Sequence, residues 1–348
     1  MSSYEKFLVD EFKPSEVPIV LKNRKAKIDR DGLVRLPFPA EIAIETHGYC
    51  NFKCIVCPYP TLERKKVKME MWLYQKIIDE VARESPYTRL WLAIMGEPLM
   101  DKKIIPRIRY ANEHGARRVH LNTNGTFLEG ALAEELLQSG VESVYVAIDA
   151  INEETFNKVR PGGDFNRVKR NLENFLKLRE KNQGKGPEIV AQFIVMDENA
   201  SEIDQFHDYW LKQGAVVKLR LRQGWGQEIS TPDLDKIALE RIPCPWLVRT
   251  MNIHWTGHVT QCDPDYEEHY PAGDLNHQSI KEVWGGELAH RREHHWTGNF
   301  SHPLCVDCKD WSSGRADFDY PNENAKKVAP RWSPGEPQKH ESPVTHDV

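Results

Sequence analysis

Three cysteines with C-x3-C-x2-C spacing, Cys50, Cys54 and Cys57, lie directly after the short apolar run 42–44. Three thiolates on one compact loop can ligate three irons of a cubane cluster and leave the fourth iron open. An open coordination position is typical of catalytic metal sites, whereas structural sites are fully ligated by the protein. A zinc knuckle is the competing interpretation, but it needs paired C-x2-C units or distant histidines. The spacing therefore favours a catalytic iron–sulfur cluster.

The stretch 45–58, which contains these cysteines, resembles the signature loop of radical S-adenosylmethionine (SAM) enzymes. In that family the loop follows the first strand of a barrel. The resemblance implies a [4Fe–4S] cluster that binds SAM through its open iron and cleaves it reductively to methionine and a 5′-deoxyadenosyl radical. This radical takes a hydrogen atom from a substrate. An external electron donor of the flavodoxin or ferredoxin type is also implied.

The composition is that of a soluble globular protein, with 348 residues, 40% hydrophobic and 28% charged. A net charge of −5 gives no basic surface for nucleic acid or anionic lipid. The first eleven residues carry acids where a signal peptide needs an apolar core, and apolar runs such as 90–95 are too short to span a bilayer. Seven cysteines in such a chain indicate metal binding rather than disulfides. We expect a cytoplasmic protein.

Short apolar strands alternate with amphipathic helices from residue 41 to about residue 222. The predicted strands are 41–46, 89–94, 118–121, 143–149, 188–196 and 215–221. The predicted helices are 69–84, 102–114, 130–138, 153–159, 165–181 and 200–213. Such alternation favours a parallel sheet with right-handed crossovers. Six units make a partial (β/α)6 TIM-like barrel, the α/β fold that the resemblance also implies, with chemistry at the carboxyl ends of the strands.

The remaining segments flank this predicted barrel. Residues 1–40 read as an N-terminal lead-in and 223–243 as a linker. A small α+β, cysteine-bearing domain is predicted at 244–311. The polar, proline-rich tail 312–348 is predicted to be disordered.

Two strand ends match SAM-binding elements of the family. Gly96, Glu97 and Pro98 match its glycine–glutamate–proline element, which holds the amino group of SAM. An acid can pair with an ammonium group, and a glycine permits close backbone approach. Asn122 and Asn124 follow the third strand, beside the ribose and methionine of SAM by the same resemblance. A polar turn after a strand is the alternative for each asparagine.

The fourth strand ends in a segment that resembles the family's Ser-x-Asp, with Ala147 in place of the serine. The resemblance therefore carries only Asp149 over as a SAM contact. Arg160 occupies a position where related enzymes place an arginine near the SAM carboxylate. A surface salt bridge is the alternative for Arg160.

Strand alternation predicts which side chains face the barrel interior. On the sixth strand Lys218, Arg220 and Arg222 share one face, opposite an apolar face that should pack under helices. The same alternation turns three more polar residues inward, namely Glu45, Glu188 and Gln192.

Charge inside a barrel is costly unless it lines a wet active site. We therefore predict Glu188, Lys218, Arg220 and Arg222 as catalytic or substrate-binding residues and Gln192 as a cofactor contact. The cations suggest an anionic group on a small-molecule substrate. An edge strand with its polar face in water, or cations neutralised by SAM and the cluster, are the alternatives.

Four further cysteines, Cys244, Cys262, Cys305 and Cys308, fall in the C-terminal domain, the last two as C-x2-C. This domain resembles the auxiliary-cluster module of the SPASM and twitch subgroup of radical SAM enzymes. A full SPASM module has seven cysteines and two clusters, so four cysteines imply the twitch form with one auxiliary [4Fe–4S] cluster. A structural zinc site is the alternative.

These two sets use all seven cysteines, so no spare thiol remains to quench a substrate radical. The sequence therefore favours net two-electron oxidation of a small polar substrate such as a sugar or cyclitol alcohol, with the auxiliary cluster as electron acceptor. Glu188 or a strand-six arginine would take the proton. The alternatives are a redox-neutral decarboxylase or dehydratase, a peptide-modifying maturase, and a non-enzymatic iron–sulfur or zinc protein.

Overall fold

A computed structural model describes residues 36–231 and 241–311. The predicted disordered tail, most of the lead-in and part of the linker lie outside the described residues. Six strands follow the predicted order: β1 (Glu41–Ile44), β2 (Arg89–Leu92), β3 (Arg118–Thr123), β4 (Ser143–Ala147), β5 (Glu188–Val195) and β6 (Val216–Leu221). The helices between them are α1 (Met71–Glu84), α2 (Ile104–Glu113), α3 (Gly130–Leu137), α4 (Glu153–Val159), α5 (Phe165–Lys181) and α6 (Ile203–Lys212). Within the described part of the chain, no helix has the length and apolarity needed to cross a membrane.

Strands β1 to β6 form a parallel sheet in sequence order. One face of the sheet packs under the helices, because its residues are apolar and fully buried, as Ile42 and Ile44 are. The other face encloses a separate small apolar cluster formed by Ala43, Trp91, Tyr145 and Val190. This arrangement confirms the predicted partial barrel.

The C-terminal segment adds α7 (Pro245–Arg249), β7 (Thr250–Ile253), β8 (His258–Thr260), β9 (Gly273–Asp274), α8 (Ile280–Gly285) and α9 (Glu287–Trp296). Strand β7 lies parallel to β1, and β8 and β9 follow as antiparallel neighbours. The described strands therefore form one nine-stranded sheet. The sequence predicted β structure at this place but not its pairing with the barrel.

A buried charge network fastens β7 to the amino-terminal end of the barrel. The Glu41 side chain is fully buried and pairs with the guanidinium group of Arg249. It also accepts a hydrogen bond from Trp91 Nε1 at 3.1 Å and lies 3.6 Å from Arg89 Nη1. Glu41 therefore ties the first strand to both of its neighbours.

Candidate active site

The loop that carries the first three cysteines is held against the end of β2. The carbonyl oxygen of Tyr49 accepts a hydrogen bond from Glu97 N–H at 2.7 Å. Gly96 has a φ of +87°, and a Cβ added there would lie 2.5 Å from the carbonyl oxygen of His47. Only glycine permits this approach. A short 3-10 turn, Pro98–Met100, then leads the chain away from the loop.

The thiols of Cys50, Cys54 and Cys57 are free and half-buried. Burial raises the pKa of all three thiols, to about 11 for Cys50 and about 12 for Cys57, and the charge of the Cys54 thiolate raises the pKa of Cys50 and Cys57 further. A metal centre deprotonates the thiols that ligate it, so the raised pKa values are compatible with cluster binding. The donor set fits the open-sided cluster that the spacing predicts.

Glu97, predicted to contact SAM, accepts three hydrogen bonds from the chain itself. Its Oε1 accepts hydrogen bonds from Thr123 Oγ1 at 2.6 Å and Leu99 N–H at 3.0 Å. Its Oε2 accepts a hydrogen bond from Asn124 N–H at 2.6 Å. The carboxylate therefore joins the ends of β2 and β3, and most of its acceptor capacity is used within the chain rather than left for an ammonium group.

The two predicted asparagines differ in their surroundings. Asn124 Nδ2 donates to Asn51 Oδ1 at 2.8 Å, and its Oδ1 accepts from Thr126 N–H at 3.0 Å. Asn124 therefore braces the cysteine loop. Asn122 Oδ1 is buried and finds no hydrogen-bond partner among the described residues. Asn122 is the better placed of the two to bind a ligand.

Asp149 and Arg160 form a buried pair beside the cysteine loop. Arg160 Nη2 donates to Asp149 Oδ2 at 2.5 Å, and Nη1 donates to Cys54 Sγ at 3.4 Å. Asp149 Oδ1 accepts from Ile194 N–H at 2.7 Å. Because Arg160 is only 5% exposed, a surface salt bridge is the wrong interpretation. Its guanidinium is already paired with a carboxylate of this chain, whereas the predicted partner was the carboxylate of SAM.

The cations of β6 turn inward as predicted, although β6 is an edge strand of the sheet. Lys218 Nζ lies 5.0 Å from the centre of the Tyr145 ring. Arg220 Nε is buried and has no hydrogen-bond partner within residues 36–231 and 241–311. Arg222 follows the end of the strand, and Gln192 lies beside Lys218 in register. Arg220 is therefore the interior cation best placed to bind an anionic or strongly polar group.

Glu188 is one of the residues predicted to be catalytic. It is the first residue of β5, and its N–H donates to Glu142 O at 2.9 Å. It stands four residues before Gln192, which is about 13 Å along a strand. Glu188 therefore lies at the amino-terminal end of the barrel, away from the carboxyl ends where barrel enzymes carry their chemistry. This position does not support the prediction of Glu188 as a catalytic residue.

Asp263, which sequence reasoning missed, lies between the barrel and the C-terminal domain. Its Oδ1 accepts from Asn252 Nδ2 at 2.6 Å. Burial raises the pKa of this carboxyl, while the Asn252 hydrogen bond and the positive charge of Arg220 oppose the rise. The sequence did contain a pattern that indicates a polar site here. In β7 and the residue after it, polar Asn252 and His254 alternate with apolar residues, in the same way as the cations of β6.

The thiols of Cys244, Cys262, Cys305 and Cys308 are also free, and they lie near enough to one another for their charges to interact. Burial raises the pKa of Cys262 well above its usual value, and the charges of the other three thiolates raise it further. Four sulfur donors complete the ligation of one cubane cluster. The residues therefore fit an auxiliary cluster.

Glu45, His254 and Glu268 also offer three ligand atoms within 4.8 Å of one another. Arg64 pairs with both carboxylates, at 2.8 Å from Glu45 and 2.6 Å from Glu268. The guanidinium of Arg64 already pairs with both carboxylates, so the group forms an ion-pair network rather than a metal site.

The carboxylate of Glu267 joins the segment that follows the cysteine loop to the C-terminal domain. Glu267 accepts hydrogen bonds from the backbone N–H groups of Glu63 at 2.8 Å and Arg64 at 3.0 Å. We refer to these two hydrogen bonds as the Glu267 latch. They fix the chain that follows the first three cysteines.

The linker after β6 contacts both cysteine regions. Trp225 Nε1 donates to the carbonyl oxygen of Val56 at 2.9 Å, next to Cys57. Asp310, two residues after Cys308, accepts from Gly224 N–H at 2.5 Å. The linker therefore spans from one cysteine set to the other.

The fold and the two cysteine sites define a radical SAM enzyme with an auxiliary-cluster domain, and family comparisons agree. Residues 44–209 match the radical SAM superfamily model, and residues 244–309 match the SPASM model, an iron–sulfur cluster-binding domain. The chain belongs to the SPASM/twitch subgroup of the radical SAM superfamily. The first domain implies SAM and a SAM-binding [4Fe–4S] cluster, and the second implies an auxiliary iron–sulfur cluster.

Among curated proteins, the chain is 23% identical over 315 residues to the tungsten-containing aldehyde ferredoxin oxidoreductase cofactor-modifying protein of Pyrococcus furiosus. The match covers 76% of this chain and 86% of that protein. A probable GTP 3′,8-cyclase of Methanothermobacter thermautotrophicus is 26% identical over 197 residues. That match covers 57% of this chain and only 60% of the cyclase.

Two solved structures share the fold. BtrN in complex with AdoMet and 2-DOIA has a TM-score of 0.55 at 18% identity, covering 77% of this chain and 92% of BtrN. Streptococcus suis SuiB bound to the precursor peptide SuiA has a TM-score of 0.61 at 14% identity, covering 84% of this chain and 74% of SuiB. At these identities the likeness shows the fold alone.

Proposed function

We propose that this protein oxidises an alcohol group of a small polar substrate by two electrons. The observation that supports the proposal is the buried Nε of Arg220, an interior cation that has no hydrogen-bond partner for this atom among the described residues and whose charge acts on the carboxyl group of Asp263. Cys50, Cys54 and Cys57 would hold the SAM-binding cluster. Bound SAM and the two clusters would supply the 5′-deoxyadenosyl radical that removes a hydrogen atom and the acceptor for one electron.

The residues of the chain would bind the substrate and move its proton. Arg220 and Asn122 have polar atoms without partners among the described residues, so they can hold substrate oxygens. Asp263 takes the hydroxyl proton as the electron leaves. One C–H bond and one O–H bond break, and a C=O bond forms. The small apolar cluster that contains Trp91 and Tyr145 excludes water from the site.

The solved BtrN complex with AdoMet and 2-DOIA supports the proposal of a small-molecule substrate. A redox-neutral decarboxylase or dehydratase acting on a sugar acid is a second candidate, because Arg220 could bind a carboxylate equally well. A peptide substrate is a third, since SuiB of similar fold was solved with a precursor peptide. The fate of the substrate separates these candidates.

The test uses reconstituted protein with SAM, dithionite and aminocyclitols or sugar acids deuterated at the carbinol carbon. We expect one deuterium in 5′-deoxyadenosine for each ketone formed. Loss of CO2 or water instead would favour the redox-neutral candidate. If none of these probes, nor a peptide, gives 5′-deoxyadenosine, the enzyme proposal fails.

Variants assign the roles. Asp263→Asn should lower ketone formation about 100-fold or more while hydrogen-atom abstraction continues, because proton transfer typically contributes 10²–10⁴-fold. Arg220→Gln should raise KM roughly 10–100-fold, the worth of a charged hydrogen bond. Glu188→Gln, at the opposite end of the barrel, is the matched control and should change neither value. An unchanged ketone yield in Asp263→Asn would remove this residue from the proposal.

A further inference from the structure

The sulfur of Cys305 has an environment that the other cysteine sulfurs do not share in the described part of the chain. Two side-chain nitrogens approach it, Gln261 Nε2 at 3.2 Å and His295 Nε2 at 3.3 Å. Gln261 is 1% exposed and His295 is 3% exposed. Both nitrogens therefore meet the sulfur in the absence of bulk solvent.

The proton on the His295 ring can be placed from its second contact. The backbone N–H of Cys244 donates to His295 Nδ1 at 3.3 Å. Because a backbone N–H can only donate, Nδ1 must accept, and the neutral ring carries its proton on Nε2. The Nε2–H group therefore points at Cys305 Sγ.

Gln261 is oriented by a second buried side chain. Its Oε1 accepts a hydrogen bond from Arg291 Nη1 at 3.1 Å. Arg291 is itself held by Glu287 Oε1, at 2.7 Å from its Nε. Since the amide oxygen is fixed by the arginine, the amide nitrogen is directed at the sulfur.

We propose that His295 and Gln261 are positioning residues that raise the reduction potential of the auxiliary cluster. The reduced cluster carries one more negative charge, part of which lies on the cysteine sulfurs. Two N–H donors at one sulfur stabilise that charge more than they stabilise the oxidised form, and such hydrogen bonds tune cluster potentials. A higher potential favours electron uptake by the auxiliary cluster, which the proposed oxidation requires. The inference also rests on the assignment of Cys244, Cys262, Cys305 and Cys308 as the ligands of this cluster.

The test measures the potential of the auxiliary cluster alone. The background is the full chain with Cys50, Cys54 and Cys57 changed to alanine, so that one cluster remains, and the readout is an EPR-monitored redox titration without SAM or substrate. Gln261→Leu and His295→Phe should each lower the midpoint potential, and together they should weaken electron uptake about tenfold, which is about 59 mV for one electron. His294→Phe, an exposed histidine on the same helix, should leave the potential unchanged.

Iron and sulfide content and the EPR g-values are recorded for every variant. Unchanged iron with a lowered potential supports the inference. Loss of iron or a changed ligand signature in His295→Phe would make His295 a ligand and overturn it, as would a potential equal to the background in both variants. If His295→Phe fails to fold, Gln261→Leu alone decides. Because no substrate is present, failure of the proposed oxidation would leave these potentials unaffected.

Discussion

At the scale of single residues, the site divides into polar groups that the chain has satisfied and groups that it has not. Glu97, Asn124 and Asp149 use their hydrogen bonds to hold the cysteine loop and the strand ends. Asn122 and Arg220 each keep a buried polar atom without a partner among the described residues. Buried polar atoms are costly when unpaired, so we propose that the second group contacts the ligand.

Arg160→Leu tests the first group. It removes the guanidinium that pairs with Asp149, whose side chain is fully buried, and breaking a buried pair costs about 3–5 kcal/mol. We expect that loss in the free energy of unfolding, measured by urea titration of reconstituted protein. Arg167→Leu, which breaks the exposed pair with Glu129, is the control and should cost less than about 1 kcal/mol. The double variant Asp149→Asn with Arg160→Leu should recover much of the loss; no recovery would count against the pairing.

Residue types and alternation predicted part of this site. Alternation along a strand tells which face a side chain is on, and it placed Lys218 and Gln192 inward. It does not tell at what height in the barrel a residue lies, so it could not separate Glu188, at one end of β5, from residues at the other end. Asp263 was missed because an aspartate beside a cysteine in a proline-containing turn has no periodic pattern of its own.

At the scale of elements, contacts between loops, rather than the strands, hold the residues of the site in position. The cysteine loop is held by the end of β2, by Asn124 after β3, and by Arg160 after α4. The segment that follows it is held by the Glu267 latch. A loop fixed on several sides can present three thiolates in one geometry before any metal is bound.

Glu267→Ala tests the latch. It removes two hydrogen bonds to a charged acceptor, each worth about 1.5–3 kcal/mol. We expect hydrogen exchange at the amides of Glu63 and Arg64 to accelerate at least about tenfold, measured by mass spectrometry of the holoprotein. Glu293→Ala, on the exposed face of α9, should not change exchange in this segment. Equal rates in the two variants would show that other contacts fix the loop.

Element types and approximate bounds were predictable because the apolar period is a local property. Strand β4 ends at Ala147 rather than at residue 149, since Asp149 adopts a φ of +55° to reach Arg160. The pairing of β7 with β1 was not predictable, because about 200 residues separate the two strands and no local pattern records a partner.

At the scale of the whole molecule, the two domains share one sheet. Strand β7 covers the edge of β1, and Arg249 neutralises Glu41 inside the barrel. The radical SAM and SPASM regions are distinct in sequence but continuous in backbone hydrogen bonding. They should therefore unfold together.

A chain ending at residue 243 tests this expectation. It lacks β7 and Arg249, so β1 gains an open edge, which is prone to aggregation. We expect it to lose the cooperative urea transition and to aggregate in size-exclusion chromatography. The full-length Arg249→Met variant should lose about 3–5 kcal/mol but keep a single transition. A monomeric truncated barrel with the full-length midpoint would show that the domains are independent.

Asp310 and Trp225 connect the two cysteine sets, and this connection affects how the protein takes up iron. Asp310 lies two residues from Cys308 and holds the linker, while Trp225 on that linker holds the carbonyl oxygen of Val56 beside Cys57. Filling the second cysteine set with iron fixes Asp310, and through the linker it fixes one wall of the first set. Because coupling between two binding sites is reciprocal, we expect iron bound at either cysteine set to favour iron binding at the other.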